Sequence, residues 1–158
     1  MIPVSDPGHV ALRAFRSNAS GMDHELDWLL QEHEGLDEQL PQLRDALAAR
    51  PPALAAIRAQ LEMLAAELPI HLEAEELVVF PWLVERLPAA GPSVELLLRE
   101  HVQLLTMLSS LQLLAAGEVV VSEEELRRVG QGFVETLAVH SRMERELLER
   151  ALETRIPA

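Results

Sequence analysis

The chain has 158 residues, of which 49% are apolar and 25% charged, so it is long enough for one domain with a buried core. Leu and Ala dominate the apolar fraction and aromatic residues make up only 3%, which favours helices and argues against a β-sandwich or barrel. The net charge of −13 repels phosphate backbones and anionic lipids, so we expect neither nucleic-acid binding nor membrane binding.

Residues that are missing from the composition exclude several chemistries. The chain has no cysteine, which excludes disulfides, iron–sulfur clusters and thiolate zinc sites. The first residues lack the basic and apolar regions of a signal peptide, and no apolar run is long enough to cross a membrane. We therefore expect a cytoplasmic protein.

The chain begins with a predicted N-terminal arm at residues 1–20, which is rich in helix breakers, and continues as a predicted four-helix domain at residues 21–158. The first predicted helix spans residues 22–49, with Ser20 as its N-cap. The Arg-Pro-Pro sequence at residues 50–52 ends this helix, because proline disrupts the helix interior.

Three further helices follow. The second spans residues 52–87 and the third spans residues 93–116, each starting beside a proline, which suits a first helical turn. Ser122 and Glu125 form a capping box that opens the fourth helix, which continues to residue 154.

Three prolines lie inside these predicted helices, at Pro41, Pro69 and Pro81. Each removes a backbone donor, so we expect it to bend or split its helix. The apolar pattern continues in phase through all three positions, so the helices themselves are retained.

Apolar residues recur at alternating steps of three and four, which is typical of helices with one buried face. Together with the short connections, this pattern predicts an all-α, up-down-up-down antiparallel four-helix bundle. On the second helix the predicted inward residues are Leu54, Ile57, Leu61, Leu64, Leu68, His71, Glu75, Val78 and Trp82.

Polar residues interrupt each inward face near its middle. A single buried histidine is often an ordinary hydrogen-bonded core residue, but here every helix contributes one, at a depth that antiparallel packing would bring into one layer. Burial of unpaired polar groups is costly, so the set requires a common partner. The candidates are His33, His71, Glu75, His101, His140 and Glu144.

The spacing of these residues strengthens the case. His71–Glu75 and His140–Glu144 are both His-x-x-x-Glu, and a separation of four returns to nearly the same helix face. Residues 29–33 resemble residues 97–101, and the two His-x-x-x-Glu motifs are themselves 69 residues apart. Two similar helix hairpins around a pseudo-twofold axis would therefore each contribute two histidines and one glutamate.

Four imidazoles and two carboxylates suit two first-row metal ions, since each carboxylate can bridge a metal pair. Iron is the best match, with zinc or manganese as alternatives, whereas magnesium and calcium prefer oxygen ligands. Without metal, we expect the two carboxylates to raise each other's pKa and burial to lower the pKa of the imidazoles.

Three segments of the sequence resemble the haemerythrin-like, or HHE cation-binding, family. They are His71-Leu-Glu-Ala-Glu75-Glu76-Leu-Val-Val-Phe-Pro81, Glu100-His101 and His140-Ser-Arg-Met-Glu144. The resemblance covers about residues 22–152. It implies a four-helix bundle with a non-haem di-iron centre, in which the four histidines are terminal ligands and the two glutamates bridge. The metal-ligand set that it implies is His33, His71, Glu75, His101, His140 and Glu144.

The sequence departs from the oxygen-carrying members of that family at Leu105, where those proteins place a further histidine. A centre with one ligand fewer favours redox chemistry, sensing or nitric oxide handling over dioxygen storage. The partner we expect is a small diatomic ligand such as dioxygen or nitric oxide. Two other functions remain open. One is a non-redox bundle that binds or stores iron or zinc, and the other is a metal-free interaction module. Homo-oligomerisation is also open.

No general acid, nucleophile or phosphate-binding loop appears elsewhere in the sequence, so any enzymatic activity must lie at the metals. Neighbouring helix positions point about 100° apart, so carboxylates adjacent to the ligands in sequence are expected on the surface, with a role in supporting a ligand or at the entrance of the site as the alternative. These are Glu32, Glu73, Glu76 and Glu100. Asp37, His24 and His9 are likewise interpreted as solvent-facing residues rather than ligands.

Overall fold

The structure, a computed structural model, describes residues 19–154, with side chains described at residue 24 and from residue 26 onward. The helices are α1 (Ala19–Ala48), α2 (Leu54–Ala74), α3 (Phe80–Arg86), α4 (Gly91–Ala116) and α5 (Glu123–Glu153). A π-helical turn at Glu75–Val79 joins α2 to α3, and a 3-10 turn at Pro88–Ala90 precedes α4. The part of the chain described here contains no strand, which confirms the all-α prediction.

Four rods make up the bundle, because α2, the π turn and α3 continue one another. α1 packs against α2 and α5, and α4 packs against the same two helices, so the rods close into a ring. Short connections reverse the chain between successive rods, as the antiparallel bundle requires. α1 and α5 approach closely at Gly130, where an added Cβ would lie 2.6 Å from the methyl carbons of Leu47. No helix in the described range is long and apolar enough to cross a bilayer.

The helix ends agree with the sequence in part. Ser122 caps α5 by accepting a hydrogen bond from the backbone of Glu125 at 3.1 Å, as predicted. Gly117 ends α4 in the left-handed conformation, with φ of 76°, which glycine adopts without strain. The predicted cap at Ser20 is wrong, because α1 already includes Ala19 and Ser20. The rest of the predicted arm, with His9, lies outside the described residues.

Arginines on neighbouring rods complete three helix C-termini. Arg58 donates to the backbone oxygen of Ala115, and Arg86 donates to that of Ala151. Buried Arg127 donates to the backbone oxygens of Leu47 and Ala49 at the end of α1. A cation at a helix C-terminus satisfies free carbonyls and complements the negative end of the helix dipole.

The predicted helix split at Pro81 is confirmed in the form of the π turn. The backbone N–H of Phe80 bonds to the oxygen of Glu75, five residues earlier, which widens the turn just before the proline. α1 and α2 continue through Pro41 and Pro69.

The π turn also corrects the predicted inward face of the second helix. Val78 and Trp82 are only half-buried, whereas Val79, Phe80 and Leu83 are buried. The wider turn accommodates an extra residue, which moves the buried face one position along the chain. Leu54, at the first residue of α2, is exposed, so its predicted inward position is also wrong.

The apolar core consists of two clusters, one toward each end of the bundle. One cluster includes Leu43, Leu61, Leu111 and Phe133, and the other includes Leu29, Leu83, Leu97 and Leu147. Along each rod the histidines and glutamates predicted to face inward lie where one cluster gives way to the other, so the polar residues occupy the middle of the bundle.

Candidate metal centre

The six predicted site residues form one buried polar layer at the middle of the bundle. α1 supplies His33 and α4 supplies His101, while the other two rods each supply a histidine and a glutamate four residues later. No member is more than 2% exposed, and both glutamates are fully buried. The six residues are His33, His71, Glu75, His101, His140 and Glu144.

Within this polar layer the imidazoles form two pairs. The rings of His33 and His71 have centroids 5.0 Å apart, and those of His101 and His140 have centroids 4.9 Å apart. We call these the first pair and the second pair. Each pair, together with Glu75, forms a three-residue group whose potential ligand atoms lie within 4.8 Å of one another.

Glu75 lies between the two pairs. Its Oε1 lies 2.5 Å from Nε2 of His71 and accepts a hydrogen bond from Nε2 of His33 at 3.2 Å. Its Oε2 lies 3.1 Å from Nε2 of His101. One oxygen thus faces each pair, which is the arrangement that a bridging carboxylate requires.

Glu144 lies on the other side of the same layer. Its Oε2 is 3.5 Å from Nε2 of His33 and 3.9 Å from Nε2 of His140. Neither of its oxygens has a hydrogen-bond partner among the described residues. Buried oxygens without a donor are costly unless a cation neutralises them.

The donor atoms of the second pair are oriented for a cation. Nδ1 of His101 donates to Glu76 at 2.7 Å, and Nδ1 of His140 donates to Glu100 at 2.9 Å. With the proton held on Nδ1, the lone pair of Nε2 faces the layer. Neither Nε2 has a hydrogen-bond partner in residues 19–154, so the residues present fit a metal ion.

The electrostatics of the layer without metal differ from the sequence-based expectation. Burial lowers the pKa of His33, but contacts with Glu144 and Glu75 overcome this and raise the pKa to about 9. Burial likewise opposes protonation of His71, whereas Glu32 and Glu75 raise its pKa to about 10. The pKa of His140 is also raised. Burial does act to lower these three pKa values, as expected, but the carboxylates outweigh it, so the net shifts are upward.

The two carboxylates of the layer shift in opposite directions. Burial acts to raise the pKa of Glu75, but the surrounding imidazoles lower it well below its usual range. Burial and the charge of Glu75 raise the pKa of Glu144. The expectation that each carboxylate raises the pKa of the other is therefore confirmed for Glu144, whereas the pKa of Glu75 is lowered instead.

Three carboxylates outside the layer contact its histidines, and we call them the outer carboxylates. They are Glu32, which approaches Nδ1 of His71 at 3.3 Å, and Glu76 and Glu100, which bond His101 and His140. The surface interpretation is incomplete for these three glutamates, because each contacts a histidine, which favours the alternative of supporting a ligand. A side chain 100° away from the inward face of its own helix reaches a histidine on the next rod. The repeated Glu-His sequence at residues 32–33 and 100–101 was the available signal.

The remaining polar candidates lie away from the layer. Asp37 is exposed and accepts a hydrogen bond from Arg145 at 2.6 Å. His24 and Glu73 are exposed, as expected. Leu105 is partly buried against the apolar cluster that contains Leu43 and Phe133, so it supplies no ligand.

Comparison with known proteins gives one match. A family model described as Hemerythrin HHE cation binding domain matches residues 24–152, which include the whole polar layer. Neither the curated proteins nor the solved structures give a match.

Proposed function

The chain belongs to the hemerythrin HHE cation-binding domain family, and on that premise we propose that its polar layer holds two non-haem iron ions. His33, His71, His101 and His140 are the proposed terminal ligands, and Glu75 and Glu144 are the proposed bridges. The observation that carries the proposal is a fully buried layer in which several inward atoms lack hydrogen-bond partners within the described residues, namely Nε2 of His101 and His140, Oε2 of Glu75 and both oxygens of Glu144.

The proposed activity is binding or sensing of dioxygen or nitric oxide, or redox chemistry at the metal pair. An iron pair, when bound, supplies open coordination positions and access to two oxidation states. Leu105 is apolar and supplies no donor, which supports an open position beside the second pair. The ring of Phe80 lies 5.3 Å from that of His101, and the apolar clusters keep water from the layer on both sides.

The protein's own residues would hold and orient the metals. Two of the outer carboxylates, Glu76 and Glu100, fix the Nδ1 protons of His101 and His140 and direct Nε2 inward. Charge balance also fits iron, because two carboxylates neutralise part of the charge of two divalent ions in a site of low dielectric. An alternative with zinc, or with iron stored without redox change, uses the same ligands.

The experiment is metal analysis of protein expressed with added iron and purified in air, followed by absorption spectra before and after addition of nitric oxide. We expect about two irons per chain, because six buried ligands suffice for two ions and are too many for one. We also expect spectral bands that change with nitric oxide. A stoichiometry near zero would favour the metal-free interaction module. Two ions without a spectral response would favour storage.

Variants separate the proposed ligands from their neighbours. Glu75→Ala and Glu144→Ala should each abolish binding of the pair, since each removes a bridge and part of the charge compensation. Asp37→Ala is the matched control, because its carboxylate is exposed and bonds Arg145 instead. Loss of metal from Asp37→Ala with retention in Glu75→Ala would contradict the assignment.

A further inference from the structure

The two imidazole pairs are not held equally. Both members of the second pair donate an Nδ1 hydrogen bond to an outer carboxylate, at 2.7 Å for His101 and 2.9 Å for His140. In the first pair, Glu32 approaches Nδ1 of His71 only to 3.3 Å, outside hydrogen-bond geometry. Nδ1 of His33 has no hydrogen-bond partner in the described part of the chain.

The internal repeat explains this inequality. Arg145 follows Glu144 as Glu76 follows Glu75, so the two residues occupy equivalent places in the two hairpins. Glu76 bonds a histidine on the neighbouring rod, whereas Arg145 bonds the exposed Asp37. An arginine has no acceptor atom, so the first pair lacks the carboxylate that would orient His33.

A pocket also adjoins the first pair. It has a volume of about 290 Å³ and lies between α1 and α2, with buried His71 in its lining. Glu32 and Glu67 add carboxylates to the lining, and Trp28 forms part of its wall. Gly35 also lines it, and a Cβ added there would meet no atom within 4 Å.

From these observations we propose that the first pair is the exchangeable half of the centre, and that a divalent first-row cation enters and leaves through this pocket. The inference rests on the proposed two-metal function. Glu32 is the carboxylate that first receives the cation, because it lines the pocket and also approaches the buried Nδ1 of His71. The second pair retains its ion longer, because its imidazoles are oriented by hydrogen-bonded carboxylates.

The test measures release of ferrous iron from the loaded protein to a chelator, without oxygen. We expect two phases of equal amplitude. Glu76→Gln removes a hydrogen-bonded carboxylate from the second pair, so it should accelerate the slow phase about 10- to 100-fold and leave the fast phase unchanged. If Glu76→Gln accelerated only the fast phase, the labile ion would be the one held by the second pair, which would overturn the proposal.

The pocket is tested by Gly35→Leu, which adds a bulky side chain to the lining of the opening and removes no proposed ligand. We expect the fast phase of release, and the matching phase of uptake, to slow several-fold while the final iron content stays the same. Gln103→Leu is the matched control, because Gln103 is exposed and lies 68 residues after Gly35, at the equivalent position of the other hairpin. It should change neither phase.

Four outcomes count against the inference. Unchanged kinetics in Gly35→Leu would exclude the pocket as the route, as would equal slowing in Gln103→Leu. Release of two ions in a single phase would overturn the inequality of the pairs while leaving the two-metal function intact. A wild-type iron content near zero would overturn both proposals.

Discussion

Glu75 and Glu144 lie in the same buried layer, four residues after a histidine on each of two rods, yet their surroundings make them electrically different. Glu75 lies within 3.2 Å of three imidazoles, whereas Glu144 approaches none closer than 3.5 Å. The pKa of Glu75 is lowered and that of Glu144 is raised. Without metal, Glu75 therefore makes the closer contacts with the histidines, while Glu144 also helps to raise the pKa of His33.

This difference predicts unequal effects of two conservative variants on the metal-free protein. Glu75→Gln removes the charge that faces protonated His33 and His71, so it should lower the free energy of unfolding by about 3 kcal/mol. Glu144→Gln removes a carboxyl group that lies farther from the imidazoles and whose pKa is raised by burial and by Glu75, so its effect should be clearly smaller. Urea denaturation of both variants at pH 7 measures the free energy of unfolding, and equal losses in the two variants would contradict the prediction.

The raised histidine pKa values predict how the stability of the metal-free protein depends on pH. His33 and His71 have a pKa of about 9 and about 10 in the folded protein, against an ordinary value of 6.5. The folded state therefore binds their protons more tightly, and the stabilisation is complete below pH 6.5. It is lost as the pH rises through 9 to 10. Melting temperatures across this range should fall in the wild type and fall less steeply in His33→Gln.

Metal removal should loosen the centre of the bundle without unfolding its ends. Metal that binds only the folded state stabilises it by mass action, so chelation should lower the melting temperature. The two apolar clusters contain no proposed ligand, so most helical circular dichroism should remain. Hydrogen exchange should accelerate mainly around residues 71–75 and 140–144. An unchanged melting temperature after removal of verified metal would favour the metal-free alternative.

Arg127 should stabilise the fold without affecting the metals. Its buried guanidinium donates to two backbone oxygens at the end of α1, so Arg127→Met leaves buried carbonyls without a partner. We expect a loss of about 1–3 kcal/mol in the free energy of unfolding, with the iron content unchanged. Arg128→Met is the control, because exposed Arg128 bonds only Glu125 on its own helix and its loss should change little. Denaturation curves and metal analysis of both variants give the answer.

The sequence alone determined the helical class, the bundle and the six members of the polar layer. These features depend on periodicity within one helix. An apolar stripe with steps of three and four defines an inward face, and a histidine or glutamate in that stripe is buried wherever the helix packs. The repeated His-x-x-x-Glu spacing placed His71 with Glu75 and His140 with Glu144 before any contact between rods was known.

Only the tertiary structure decided the contacts that depend on the rotation and neighbours of each rod. Glu32, Glu76 and Glu100 lie off the inward face of their own helices, so their bonding to histidines on other rods has no periodic signal. The register after Glu75 was missed because the π turn adds a residue that a regular helical pattern does not contain. The inequality of the two pairs likewise became visible only in three dimensions, because the sequence shows Arg145 at the position equivalent to Glu76 but not that Glu76 bonds a histidine on another rod.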